Sequence, residues 1–236
     1  MTEHVPVLCD EVVDAFMKQG RAPQHILEGT FGRGGHTKAL LDAFPMAKVV
    51  SFDRDHQAVE FAQTHFKSFI DSGRLQIIHD DFRHFMKYRL GLFDGALFDL
   101  GVSSPQLDVS DRGFSFMTDG PLDMRMDVKQ EETAADIVNN YSEKELIELF
   151  RDMGEVRKPN RVVRAIVHDR KTEPYTTTRQ LASLIERVDG FGRSRGKKKG
   201  GRGAHPATNY FMALRIAVNH ELDGLVAVAF HRFAAE

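Results

Sequence analysis

The 236-residue sequence has a single cysteine, Cys9. That excludes an internal disulfide framework and any zinc site built on a cysteine cluster. No run approaches the roughly eighteen apolar residues a membrane-spanning helix needs. The opening MTEHVPVLCDEVV has neither the basic nor the apolar region of a secretory leader. A cytoplasmic protein without a membrane partner is therefore expected. The eleven histidines fall in no HExxH or Cys/His pattern, so no metal is expected either.

Charge is present but unevenly spread. The chain holds 32 Lys and Arg against 34 Asp and Glu, and residues 193–202, RSRGKKKGGR, carry six of the cations and no acid. The remainder is left with 26 basic against 34 acidic residues. A concentrated basic loop in a near-neutral chain is expected to meet a polyanion, because phosphate contacts depend on local positive charge.

The length suits one domain with a substantial insertion. Through the first hundred residues, short apolar runs alternate with helical patterns, the signature of βα units around a parallel sheet. The runs are His25 to Leu27, Lys48 to Phe52, Leu75 to Ile78 and Gly95 to Phe98, and each ends in polar residues: Glu28, Asp53, His79 with Asp80 and Asp81, and Asp99. The carboxyl edge of an open α/β sheet is where ligands bind. Beyond Ser103 the pattern turns helical. Ser142 to Glu145 reads as a capping box, Pro159 starts a further helix, and Thr178 is placed to cap another. Residues 1–104 and 206–236 are thus expected to form the sheet domain, with 105–205 as a helical insert carrying the basic loop.

The segment GTFGRGGH at residues 29–36 follows a strand and opens a helix. Its glycines permit positive φ and let a ligand lie against backbone amides. No Gly-Lys-Ser/Thr follows, so it is not a Walker loop, and its GxxGxGG spacing differs from the GxGxxG of dinucleotide sites. A nucleoside suits it better. Asp53 ends the second strand, placed to accept hydrogen bonds from two ribose hydroxyls. Asp80, Asp81 and Phe82 are placed to bond and cover an adenine. Asp99 is expected to do chemistry, accepting a hydrogen bond from an incoming amine. Further along, Phe114 or Phe116 could stack on a base while Arg112 or Arg125 meets phosphate. Asp119, Asp123 and Asp127 recur every four residues, as on one helical face, and ion pairs with Arg125 are expected there rather than a metal.

Several blocks together resemble the MraW family of bacterial ribosomal RNA small-subunit methyltransferases. They are HVPVL at residues 4–8, GTFGRGGH, DRD at 53–55, DLGVSSPQLD at 99–108, RGFSF, DGPLDMRMD, RAIV at 164–167, HPAT from His205, and ALRIAVN up to Asn219. The resemblance implies a Rossmann-like α/β methyltransferase sheet with an inserted helical domain that helps bind RNA. It implies S-adenosylmethionine (AdoMet) as cofactor, with Gly34, Gly35, His36, Asp53, Phe82, Asp99 and Gln106 as its contacts. It further implies methylation of N4 of a cytidine in the decoding region of 16S rRNA, free or in the small subunit. Asp99 would then be the catalytic residue. Family members continue past the VN-x-EL helix into further strands, to which Leu225 to Arg232 could correspond, and this basic loop is longer than the family's. The alternatives are a chain that binds AdoMet or RNA without turnover, and an NAD-dependent oxidoreductase using the same loop and Asp53.

Overall fold

The computed structural model describes residues 6–18, 20–190 and 205–223. The basic block 193–202 and the segment from Leu225 to Arg232 lie outside the described residues. Among the described residues, contacts divide the chain into two compact units, the first running through Gly101 and the second spanning Val102–Glu221.

The first unit runs α1 (Cys9–Met17), β1 (His25–Glu28), α2 (Gly35–Ala43), β2 (Lys48–Asp53), α3 (His56–His65), α4 (Lys67–Asp71), β3 (Leu75–His79) and β4 (Gly95–Leu97). The strands form a parallel sheet in the order β3-β2-β1-β4. Register pairs Ile26 with Val49 and Leu27 with Val50. Ile26 and Val49 pack with Phe16, Leu40 and Phe44 in one apolar cluster, while Leu27, Val50 and Phe52 join Ile78 and Phe93 in another. A sheet covered on both faces wants continuous apolar strands, which is why Ile26-Leu27 and Val49-Val50 read as runs rather than alternations. The chain order steps from β1 outward on one side to β2 and β3, then returns to β4 on the other. The switch point therefore lies between β1 and β4, at their carboxyl ends.

The second unit is helical: α5 (Ser104–Asp108), α6 (Ala134–Asn140), α7 (Glu143–Asp152), α8 (Asn160–Asp169), α9 (Thr178–Ile185) and α10 (Ala207–Asn219). Its core gathers Ile137, Leu146, Phe150, Val162, Ile166, Leu181, Tyr210 and Leu214. The expected capping box on α7 is present, Ser142 and Glu145 each bonding the other's backbone N–H. On α9 the cap is Thr177, not Thr178, because Thr177 pairs reciprocally with Gln180. Thr178 is instead buried and bonds to Thr118 O and Gly120 N–H. Asp119, Asp123 and Asp127 do not share a helical face, since no helix covers residues 113–133.

The unit boundary also differs from the expected 105–205. Helix α10 belongs with the insert helices because Tyr210 packs edge-on against Phe150, at 4.9 Å between ring centroids, and Asn219 ties the helix to the preceding loop. Asn219 is fully buried; its Oδ1 accepts from Met126 N–H at 2.8 Å, and its Nδ2 donates to Met124 O at 2.7 Å. Asn219→Ala would orphan a buried donor and a buried acceptor, at about 1–3 kcal/mol each. The expected result is a loss of about 2–4 kcal/mol in urea unfolding, with Asn219→Asp intermediate because it keeps only the acceptor.

Candidate functional site

In the first unit the glycine loop spans the switch point and is fastened on both sides. Gly29 N–H donates to Leu97 O of β4 at 2.9 Å, and Phe31 N–H donates to Phe52 O of β2 at 2.9 Å. Gly32 has φ 57°, and a Cβ there would meet open space. Gly34 has φ 72°, and a Cβ there would strike the Phe66 ring at 2.4 Å. The two glycines thus serve different ends: Gly34 lets the loop pack on the helices behind it, and Gly32 leaves its outer side clear.

Asp53 closes the loop from β2. Its Oδ2 accepts from Gly32 N–H at 2.8 Å and its Oδ1 from Asp55 N–H at 2.8 Å. Each oxygen keeps a second lone pair for another donor. Burial pushes this carboxyl up to about 6 against the pull of the two N–H bonds. Asp55 in turn caps α3 by accepting from Gln57 N–H at 3.0 Å.

Asp99 follows β4. Its backbone N–H donates to Thr30 Oγ1 at 2.9 Å, fixing the residue beside the glycine loop. Its side chain is 53% exposed. Among the described residues the carboxylate's one neighbour of opposite character is His36 Nδ1 at 3.7 Å, too long for a hydrogen bond. His36, in the first turn of α2, is buried, with Nε2 3.0 Å from Val7 O. Gly34, Gly35, His36, Asp53 and Asp99 are thus brought together along one edge.

The other expected residues lie as follows. Phe82 is only 6% exposed and packs on Phe98 at 5.0 Å between centroids, beneath the loop. Asp80 and Asp81 are engaged internally. Although burial opposes it, His84, Tyr88 and the Asp81 N–H hold Asp80 down at about 2. Asp81 binds Arg54 and Arg83 and caps the short 3-10 helix Phe82–Tyr88. Gln106 lies in the second unit, 8% exposed, with Oε1 accepting from Ser103 N–H at 2.9 Å.

The stretch expected to meet RNA is also turned inward. Phe114 is buried, and Phe116 packs on His205 and Phe211. Arg112 donates to the carbonyls of Arg125 and Met126. Arg125 makes the anticipated ion pair, bidentate with Asp123 at 2.7 and 2.8 Å, which holds Asp123 low against the cost of burial.

One residue went unassigned in the sequence. Glu28 ends β1, is 1% exposed, and accepts hydrogen bonds from the hydroxyls of Thr37 in α2 and Ser51 in β2. Burial pushes its carboxyl up to about 7, past the opposing pull of the two hydroxyls. An acid closing the otherwise apolar strand His-Ile-Leu-Glu was the available signal; its partners, nine and twenty-three residues away, left none.

A parallel sheet whose switch point carries a glycine loop, an aspartate bracing that loop and an exposed second aspartate defines a Rossmann-like α/β protein with a candidate ligand site at that switch point. The chain belongs to the MraW methylase family, whose profile matches residues 1–234. It is 51% identical over 222 residues to the ribosomal RNA small subunit methyltransferase H of Bdellovibrio bacteriovorus, covering 94% of this chain and 65% of that protein. The protein of the same name from Crocosphaera subtropica is 42% identical, over 94% of this chain and 66% of its own. The chain thus spans just under two thirds of the length of these relatives. Among solved structures, an SAH-bound methyltransferase of Podospora anserina is similar at 13% identity and a TM-score of 0.36, over 77% of this chain and 66% of that one, too remote to bear on the site.

Proposed function

We propose that this chain is an AdoMet-dependent methyltransferase acting on N4 of a cytidine in the decoding region of 16S rRNA. The observation that carries the reading is Asp99, an exposed carboxylate pinned through its backbone to Thr30 of the glycine loop. The names of the family and of its rRNA-methylating relatives support the reaction and substrate class.

The residues present fit AdoMet. Gly32 leaves space against the loop, and Asp53 retains one lone pair on each oxygen for the two ribose hydroxyls. Gly34, Gly35, His36, Phe82 and Gln106 remain proposed contacts. AdoMet brings a methyl group already activated by its sulfonium, so the protein's share is alignment. A cytosine amine is a weak nucleophile because its lone pair is delocalised into the ring. Accepting a hydrogen bond from that amine, Asp99 turns the lone pair toward the methyl. Its carboxylate would take the proton that the nitrogen loses on methylation and pass it to solvent, while bound AdoMet would supply the methyl from its sulfonium and be left a neutral thioether.

Calorimetry and radiolabel transfer test this. AdoMet should bind and NAD should not, and labelled methyl should pass from AdoMet to small-subunit RNA. Binding of NAD instead of AdoMet overturns the cofactor assignment. AdoMet binding with no transfer to that RNA overturns the activity.

A further inference from the structure

Residues 157–171, RKPNRVVRAIVHDRK, hold six Lys and Arg against one Asp. They form a second basic block, with as many Lys and Arg as residues 193–202, but lying among the described residues. Helix α8 sorts this block by face. Val162, Val163 and Ile166 are fully buried. Arg161, Arg164 and His168, at spacings of three and four, stand on the opposite face, exposed along about 10 Å of helix. Arg157 and Lys158, both exposed, continue the stripe through the turn that leads into the helix.

The cations of this unit differ in what they already hold. Arg125 is matched by Asp123, Arg187 by Asp169, Arg215 by Glu221 and Arg179 by Asp119. Arg164 is 71% exposed with Glu143 at 3.2 Å, an exposed pair worth little. For Arg157, Lys158 and Arg161 there is no hydrogen-bond or ion-pair partner among the described residues. The acids paired with α8 side chains are Glu143, with Arg164, and Asp169, shared between His168 and Arg187. Meanwhile Arg112 and Arg125, which the sequence offered for phosphate, are spent on carbonyls and on Asp123.

We infer that the stripe of Arg157, Lys158, Arg161 and Arg164 is a docking surface for the phosphodiester backbone of RNA. The inference rests on the proposed reaction on rRNA and says which surface of the second unit holds that substrate. Such contacts position a strand without reading its bases, through arginine and lysine pairing with phosphate oxygens.

The test is fluorescence anisotropy of the 236-residue chain with a short labelled RNA hairpin, titrated at several salt concentrations. Each phosphate contact contributes about 0.7–0.9 to the slope of log affinity against log salt. Arg157→Gln/Lys158→Gln/Arg161→Gln should therefore lower the slope by about 2–3 and weaken binding about 100-fold at roughly 0.1 M salt. AdoMet affinity and thermal midpoint should stay as in the wild type, showing that the variant is folded. Arg157→Lys/Arg161→Lys, which keeps the charge, should retain most of the slope. Wild-type binding with an unchanged slope in the folded triple variant overturns the docking surface and leaves the proposed reaction standing. Failure of the wild type itself to bind RNA overturns both.

Discussion

Asp99→Ala is expected to lower the rate of methyl transfer to small-subunit RNA by about 10²–10⁴-fold, the usual weight of a positioned proton acceptor. AdoMet affinity should change by far less. The substitution is a clean one on structural grounds. The bond that anchors this residue to the glycine loop comes from its backbone N–H to Thr30, which alanine keeps. The carboxylate is 53% exposed and the nearest ring nitrogen of His36 is 3.7 Å away, so little folding energy is at stake. Asp99→Asn sharpens the test. The amide keeps one oxygen that can accept from the cytosine amine but cannot take its proton, so partial activity in Asn and none in Ala separates orientation from proton removal. Transfer by the alanine variant at the wild-type rate, with normal AdoMet affinity, would remove Asp99 from the chemistry.

The sheet was legible because its strands are buried on both faces, leaving apolar runs that stop abruptly at Glu28, Asp53, His79 and Asp99. Local signals also served for α7, whose cap is written within four residues. What escaped were choices between partners distant in sequence. An exposed aspartate and an ion-paired one look alike in a string of letters, so Asp80 and Asp81 seemed available to a ligand. In the fold they are taken by Tyr88, His84, Arg54 and Arg83. The aromatic and arginine residues of RGFSF and DGPLDMRMD had the composition of a nucleic-acid surface, yet they close a loop on itself. Conversely, the α8 stripe was hidden because its cations are interleaved with the valines and isoleucine of the opposite face. Helical geometry separates what the sequence mixes.

Glu28 should make the protein less stable as pH rises through neutrality. Its carboxyl holds a proton up to about pH 7 in the folded state, against an ordinary 4.5. Between those limits the folded chain binds more protons than the unfolded one, so stability falls with rising pH; it is flat below about 4.5 and again above about 7. The loss attached to this single group is on the order of 3 kcal/mol. Asp53, lifted to about 6, adds a loss of the same sign over a lower range, while Asp80, held near 2, acts in the opposite sense well below pH 5. Urea unfolding at pH 5, 6, 7 and 8 should therefore show a descent in the wild type. In Glu28→Gln most of the part between pH 6 and 8 should be gone. Glutamine fits the same space, and its amide oxygen can still accept from Thr37 and Ser51, so the variant should match the wild type near pH 5 and exceed it at pH 8. Parallel descents in the two proteins would mean that Glu28 stays ionised in its buried position. The three-way contact would then be a carboxylate fixed by two hydroxyls, and the joint between β1, α2 and β2 beneath the glycine loop would be insensitive to pH.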